Sequence, residues 1–149
     1  MYGERMEQAK EALKMILRQL PVSCRFNIVS FGCEYEFMWD PNVPGDDHHG
    51  FKQYTEDVLE NALALVDEMD ANMGGTEILS PLAALFAIPT RKMRHVFLFT
   101  DGGVSNTNQV LDLVTVNAAS NTIHGIGIGS GCSTGTAIPH VLNDCTVEF

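Results

Sequence analysis

The stretch Arg94-His-Val-Phe-Leu-Phe-Thr-Asp-Gly-Gly103 constrains what this chain can fold into more than any other: a short apolar run stops abruptly at a threonine, an aspartate and two glycines. Four consecutive apolar residues from Val96 to Phe99 leave no solvent-facing side, which is the pattern of a strand in a parallel sheet covered by helices on both faces. Open sheets of that kind bind ligands beyond the carboxyl ends of their strands, and this strand delivers Asp101 to such an end. Upstream, Gly74-Gly75-Thr76-Glu77 sets a hydroxyl and a carboxylate after a flexible glycine pair and directly before a helical pattern, within reach of the same edge.

The elements around that strand alternate. Met6, Ala9, Leu13, Ile16, Leu17 and Leu20 recur at helical spacing ahead of Pro21, so Gly3 to Leu20 is expected as an amphipathic helix. Arg25 to Gly32 and Tyr35 to Trp39 read as two strands of a hairpin, and Asp40 to Gly50 as a surface loop. Helices are expected over Tyr54 to Asp70, Ile78 to Ala87, Thr107 to Ala119 and Ala137 to Asn143. Further strands are expected over Thr122 to Ile128 and Cys145 to Phe149. This alternation indicates an α/β domain with a mostly parallel sheet and one antiparallel edge strand. At 149 residues, with no internal repeat and no dividing linker, residues 1–149 read as a single domain.

Charge excludes some partners. Nineteen acidic against nine basic residues give a formal charge of −10, which disfavours nucleic acid and anionic membrane surfaces, since both are held by positive patches. Cys24, Cys33, Cys132 and Cys145 show neither a C-x-x-C pair nor zinc-ligand spacing and read as reduced core thiols. With no signal peptide and no apolar span of membrane length, membrane insertion is not expected and a cytoplasmic location is.

The ordered set Gly3-Glu-Arg-Met-Glu-Gln-Ala-Lys-Glu-Ala-Leu13, Phe26-Asn-Ile-Val-Ser-Phe-Gly32, Gly74-Gly-Thr-Glu-Ile-Leu-Ser-Pro-Leu82, Phe97-Leu-Phe-Thr-Asp-Gly102 and Gly125-Ile-Gly-Ile-Gly129 resembles the von Willebrand factor A (vWA) domain, and among its members the intracellular group. The resemblance covers nearly the whole chain. It implies a Rossmann-like, three-layer α/β/α fold and a non-enzymatic protein-interaction module. It also implies a metal-ion-dependent adhesion site, where Mg2+ or Mn2+ is held by loop oxygens and an acidic side chain of a protein partner completes the shell. Thr76 matches the family's threonine ligand and Asp101 its third-loop aspartate. Hydroxyl, carboxylate and water oxygens suit such hard cations. The ordinary alternatives are a helix N-cap for Thr76 and a turn residue for Asp101.

One departure stands out. The family's first metal loop, Asp-x-Ser-x-Ser, would lie ahead of Met1 together with the central first strand that carries it, and neither is in the sequence. Either the chain is a truncated domain or it is a variant that has abandoned the metal. An unfilled gap in mid-sheet would favour strand exchange or self-association.

Two rival sites are weaker. Gly131-Cys-Ser-Thr-Gly135 fits the G-x-S-x-G turn of a small α/β hydrolase with Ser133 as nucleophile. However, only Asp144 and His140 follow, in the wrong order and within one helix-length. Asp46-Asp-His-His49 carries metal-capable side chains, but neighbours on a loop rarely converge on one ion, and a solvated acidic loop is the expected outcome.

Overall fold

The structure, a computed structural model, describes residues 3–70, 75, 77–100 and 106–128. Its first element is α1 (Glu4–Gln19), which buries Ala9 and Leu17 on one face and ends where Leu20 turns extended before Pro21. Helix α2 (Glu56–Glu68) begins at Thr55, whose side chain accepts the Val58 N–H at 3.3 Å, and buries Ala62 and Val66 completely. The two helices share a core with Phe26, and Trp39 meets that ring edge-on at 5.3 Å. Polar contacts tie the same pair together. Lys10 donates to the Asp67 carbonyl at 3.0 Å, while Lys14 forms an ion pair with the Asp67 carboxylate.

A second core lies around the strand that the sequence marks out. Strand β5 (Arg94–Thr100) runs parallel to β6 (Asn121–Gly127), with Val96 opposite Ile123 and Phe97 opposite His124. Between them in the chain is α4 (Thr107–Asn117), so the three make a strand-helix-strand unit. Ile78 and Leu82 at the start of α3 (Leu79–Ala87) pack with Leu98, Val110, Val114 and Ile123. Each such side chain taken out of water contributes roughly 1.5–3 kcal/mol. Arg94 anchors the amino end of β5, donating to the carbonyls of Leu85 at 2.7 Å and Ile88 at 2.9 Å and thereby closing the last turn of α3.

The stretch expected as one strand from Arg25 to Gly32 is divided. Strand β1 (Arg25–Phe26) pairs antiparallel with β4 (Lys52–Gln53), and β2 (Val29–Phe31) pairs antiparallel with β3 (Tyr35–Phe37). Asn27 makes the break, its Oδ1 accepting the N–H of Ile28 at 2.8 Å and of Trp39 at 3.3 Å while its Nδ2 donates to the Trp39 carbonyl at 2.8 Å. A side-chain amide thus takes the hydrogen bonds that a continuous ladder would have used. Among the described residues β5–β6 is the parallel pair. Strand β2 begins four residues after the expected Arg25, whereas β3 and the four helices among the described residues keep to within two residues of the expected ends. The fold is α/β. The helix expected over Ala137 to Asn143 and the strand over Cys145 to Phe149 lie outside the described residues.

Candidate functional site

Strand β5 ends at Thr100, whose carbonyl accepts the Ile128 N–H at 2.9 Å, so the last residues of the parallel pair are tied together just where Asp101 follows. Asp101 itself, like Thr76, lies outside the described residues. The neighbours of Thr76 are placed. Gly75 has φ +53, and a Cβ on it would come within 2.8 Å of Cys33 Sγ; the Glu77 N–H donates to the Gly32 carbonyl at 2.9 Å. The residues on either side of Thr76 therefore rest against the turn that follows β2.

Glu77 also decides how α3 begins. Its Oε1 accepts the N–H of Leu79 at 2.7 Å and of Ser80 at 3.4 Å; Pro81 has no N–H, and Leu82 donates to the Ile78 carbonyl at 3.2 Å. Every donor of the first helical turn is accounted for by residues 77 and 78. The N-cap duty that would be the ordinary explanation of Thr76 is thus performed one residue later by a carboxylate, which also complements the helix dipole.

A cavity of about 1940 Å³ opens between the two cores. It is lined by α1, by residues 25–31, by the start of α3 and by all of β5. Pockets for small molecules run to roughly 300–1,000 Å³, so this space exceeds that class by about twofold. Among the described residues no three His, Cys, Asp or Glu side chains converge as a metal-holding group. In the 46–49 loop Asp46 turns both oxygens on the loop's own backbone, accepting the N–H of His48 at 3.0 Å and of Gly50 at 2.8 Å. Those N–H donors hold its carboxyl below the usual aspartate range. Ser133 and its flanking glycines lie outside the described residues.

Two features of the site carry no sequence signal that a linear reading uses. His95 and His124 stand on adjacent strands with His95 Nδ1 and His124 Nε2 3.1 Å apart, and the His124 ring also stacks on Phe97 at 4.8 Å. Burial, and secondarily the neighbouring His95, pushes the His124 pKa down. The other feature concerns the thiols. Cys33 is exposed at the turn after β2 and is not a core residue, whereas Cys24 is half-buried; both are free, and Cys132 and Cys145 lie outside the described residues. Burial raises the Cys24 pKa, leaving less thiolate at neutral pH. Iodoacetamide at pH 7.5, followed by peptide mass spectrometry, is expected to label Cys33 before Cys24; the reverse order would contradict this placement.

The succession of helix α1, the β2–β3 hairpin, a capped α3 and a parallel β5–α4–β6 unit defines a class. Residues 1–141 match the von Willebrand factor type A domain, and the chain belongs to that family. It is 40% identical over 133 residues to von Willebrand factor A domain-containing protein 5A of Mus musculus, covering 87% of this chain and 16% of that protein. The Homo sapiens 5A protein is 38% identical over 133 residues, with 87% and 16% covered. Von Willebrand factor A domain-containing protein 5B1 of Homo sapiens is 36% identical over 131 residues, covering 87% of this chain and 10% of that protein. The chain thus spans about a sixth or less of these relatives. No helix among the described residues is long and apolar enough to cross a membrane.

Proposed function

We propose that this chain is a non-enzymatic, intracellular protein-interaction module built on the three-layer vWA fold. In it Thr76 and Asp101 are the remaining ligands of a metal-ion-dependent adhesion site. The observation that carries the reading is the start of α3: with Leu79 and Ser80 served by Glu77, the helix does not require a cap from Thr76. Position supports it too, since Gly75 and Glu77 rest against the turn after β2 and Asp101 follows the end of β5. The donor set suits Mg2+ or Mn2+ in kind, being hydroxyl and carboxylate, but falls short in number. No Asp-x-Ser-x-Ser occurs anywhere in the 149 residues. When bound, the ion would supply a positive centre for an acidic side chain of a partner protein.

The cavity between β2 and β5 is, on this reading, the place of the family's first strand, so that the chain as given is a vWA domain lacking its first strand and first metal loop. The hydrolase alternative gains no support, since the relatives are named for the vWA domain.

Titration calorimetry with Mg2+ is expected to give affinity on the order of millimolar or weaker, the weak end for oxygen-ligand sites. Micromolar binding that survives Asp101→Ala would remove Asp101 from the site. An esterase signal that Ser133→Ala abolishes would overturn the non-enzymatic reading.

A further inference from the structure

We infer that His95 and His124 form a pH-responsive latch across the β5–β6 pair, closed while at most one of the two rings carries an extra proton and open once both do. The parallel register sets Phe97 opposite His124 and His95 opposite Thr122, so the two histidines sit diagonally on one face of the pair. Side chains alternate between faces along a strand, and Val96 and Leu98 belong with the core under α3 and α4. The opposite face carries His95, Phe97 and His124, all of which line the large cavity.

His95 Nδ1 and His124 Nε2 face each other 3.1 Å apart, the separation of one N–H···N hydrogen bond. One nitrogen donates and the other accepts on its lone pair. A neutral pair satisfies this, and so does a pair with one added proton, because the neutral ring still offers a lone pair. With both rings protonated, both facing nitrogens carry hydrogen, no acceptor is left and two like charges meet. The rings cannot easily part. Their planes lie 23° from each other, and Phe97 stacks on His124 at 4.8 Å, so swinging that imidazole away gives up the stack.

No neighbouring charge offsets the repulsion. On the far side of the strand pair α3 has no charged residue and α4 has only Asp112. Arg94, next to His95 on β5, is turned to the carbonyls of Leu85 and Ile88. Across the cavity stand Arg5 and Lys10 of α1, Arg25, Glu36, the Asp46–His49 loop, Glu68 and Asp70 after α2, and Arg91 and Lys92 before β5. Among the described residues only His95 acts on the charge of His124, and it adds to burial, the larger cause, in pushing that pKa down. The unfolded chain takes up both protons near the ordinary imidazole value of about 6.5, while the folded pair resists the second. The contribution to stability is therefore fully present above that value and is lost as the pH falls below it, where the unfolded state binds more protons.

His95→Gln tests the latch, since an amide at this exposed position can still hydrogen-bond to His124 but takes no proton. In untagged protein followed by imidazole NMR from pH 8 to pH 5, the His124 resonance is expected to titrate below the ordinary value and to move upward in His95→Gln. Urea midpoints give the second readout. The parent is expected to lose midpoint between pH 7.5 and pH 5.5, His95→Gln to lose less, and a His48→Ala/His49→Ala double variant to lose as much as the parent. A His124 midpoint unmoved by His95→Gln, an equal loss of urea midpoint in parent and His95→Gln, or a loss relieved only in the 48/49 variant would each overturn the latch.

Discussion

Joining an apolar strand that ends in Asp-x-Ser-x-Ser ahead of Met1 is expected to raise the melting temperature by roughly 10 °C and to make it respond to Mg2+. Among the described residues, β2 pairs with β3 and β5 with β6, and the cavity of about 1940 Å³ runs along both β2 and β5. Strand β5 has seven residues. A neighbour along it would satisfy backbone groups at about 1 kcal/mol net per hydrogen bond and bury apolar side chains from both cores. Ordering the added residues costs much of this, leaving a gain of a few kcal/mol, and at this chain length each 1 kcal/mol shifts the midpoint by about 2–4 °C. The two serines and the aspartate would complete the oxygen set with Thr76 and Asp101. Mg2+ at a hundred times its dissociation constant should then add about 2.7 kcal/mol. Differential scanning calorimetry with and without MgCl2 tests both effects. If neither property changes, the proposed place of the first strand is wrong.

Gly50→Ala is expected to destabilise the protein by about 2–5 kcal/mol. Gly50 has φ +76, where an L side chain costs about 1–2 kcal/mol, and a Cβ there would stand 2.5 Å from the Trp39 carbonyl oxygen and 3.0 Å from that of Asp40. Both are backbone atoms, and Asn27 holds the Trp39 carbonyl, so the clash cannot be relieved by rotating a side chain. Relief requires moving the loop that brings β4 opposite β1, an overpacking cost of about 1–3 kcal/mol. Gly45→Ala is the control. With φ +83 and nothing within 4 Å of its would-be Cβ, it should lose only the conformational part. Urea denaturation of the two variants is expected to give a clearly lower midpoint for Gly50→Ala; equal midpoints would mean that Trp39 and Asp40 yield freely.

The metal ligands proposed from the resemblance, Thr76 and Asp101, were legible only as members of ordered motifs. Their own residue types are equally those of a cap and a turn, and the chemistry lies in the residues that precede and follow them. Glu77 shows how close that ambiguity runs. A carboxylate directly after a threonine can itself take the N–H groups of a helix start, and only the geometry showed that it does. The 46–49 loop followed its composition, because an aspartate two and four residues ahead of N–H groups satisfies them locally whatever surrounds it.

What the sequence determined by itself was the set of elements whose cause is local. The helical period of α1 and α2, the doubly apolar run of β5 and the glycine and proline stops act over a turn or two of chain, and they hold wherever the segment is placed. Tertiary structure decided what depends on partners far along the chain. Asn27 reaches Trp39 to divide a run that its own neighbours would have continued as one strand. Lys52 and Gln53, too few and too polar to announce a strand, become one because Arg25 and Phe26 lie beside them. His95 meets His124 because the register of two parallel strands places them diagonally on one face, and a slip of one residue would send one of them to the opposite side.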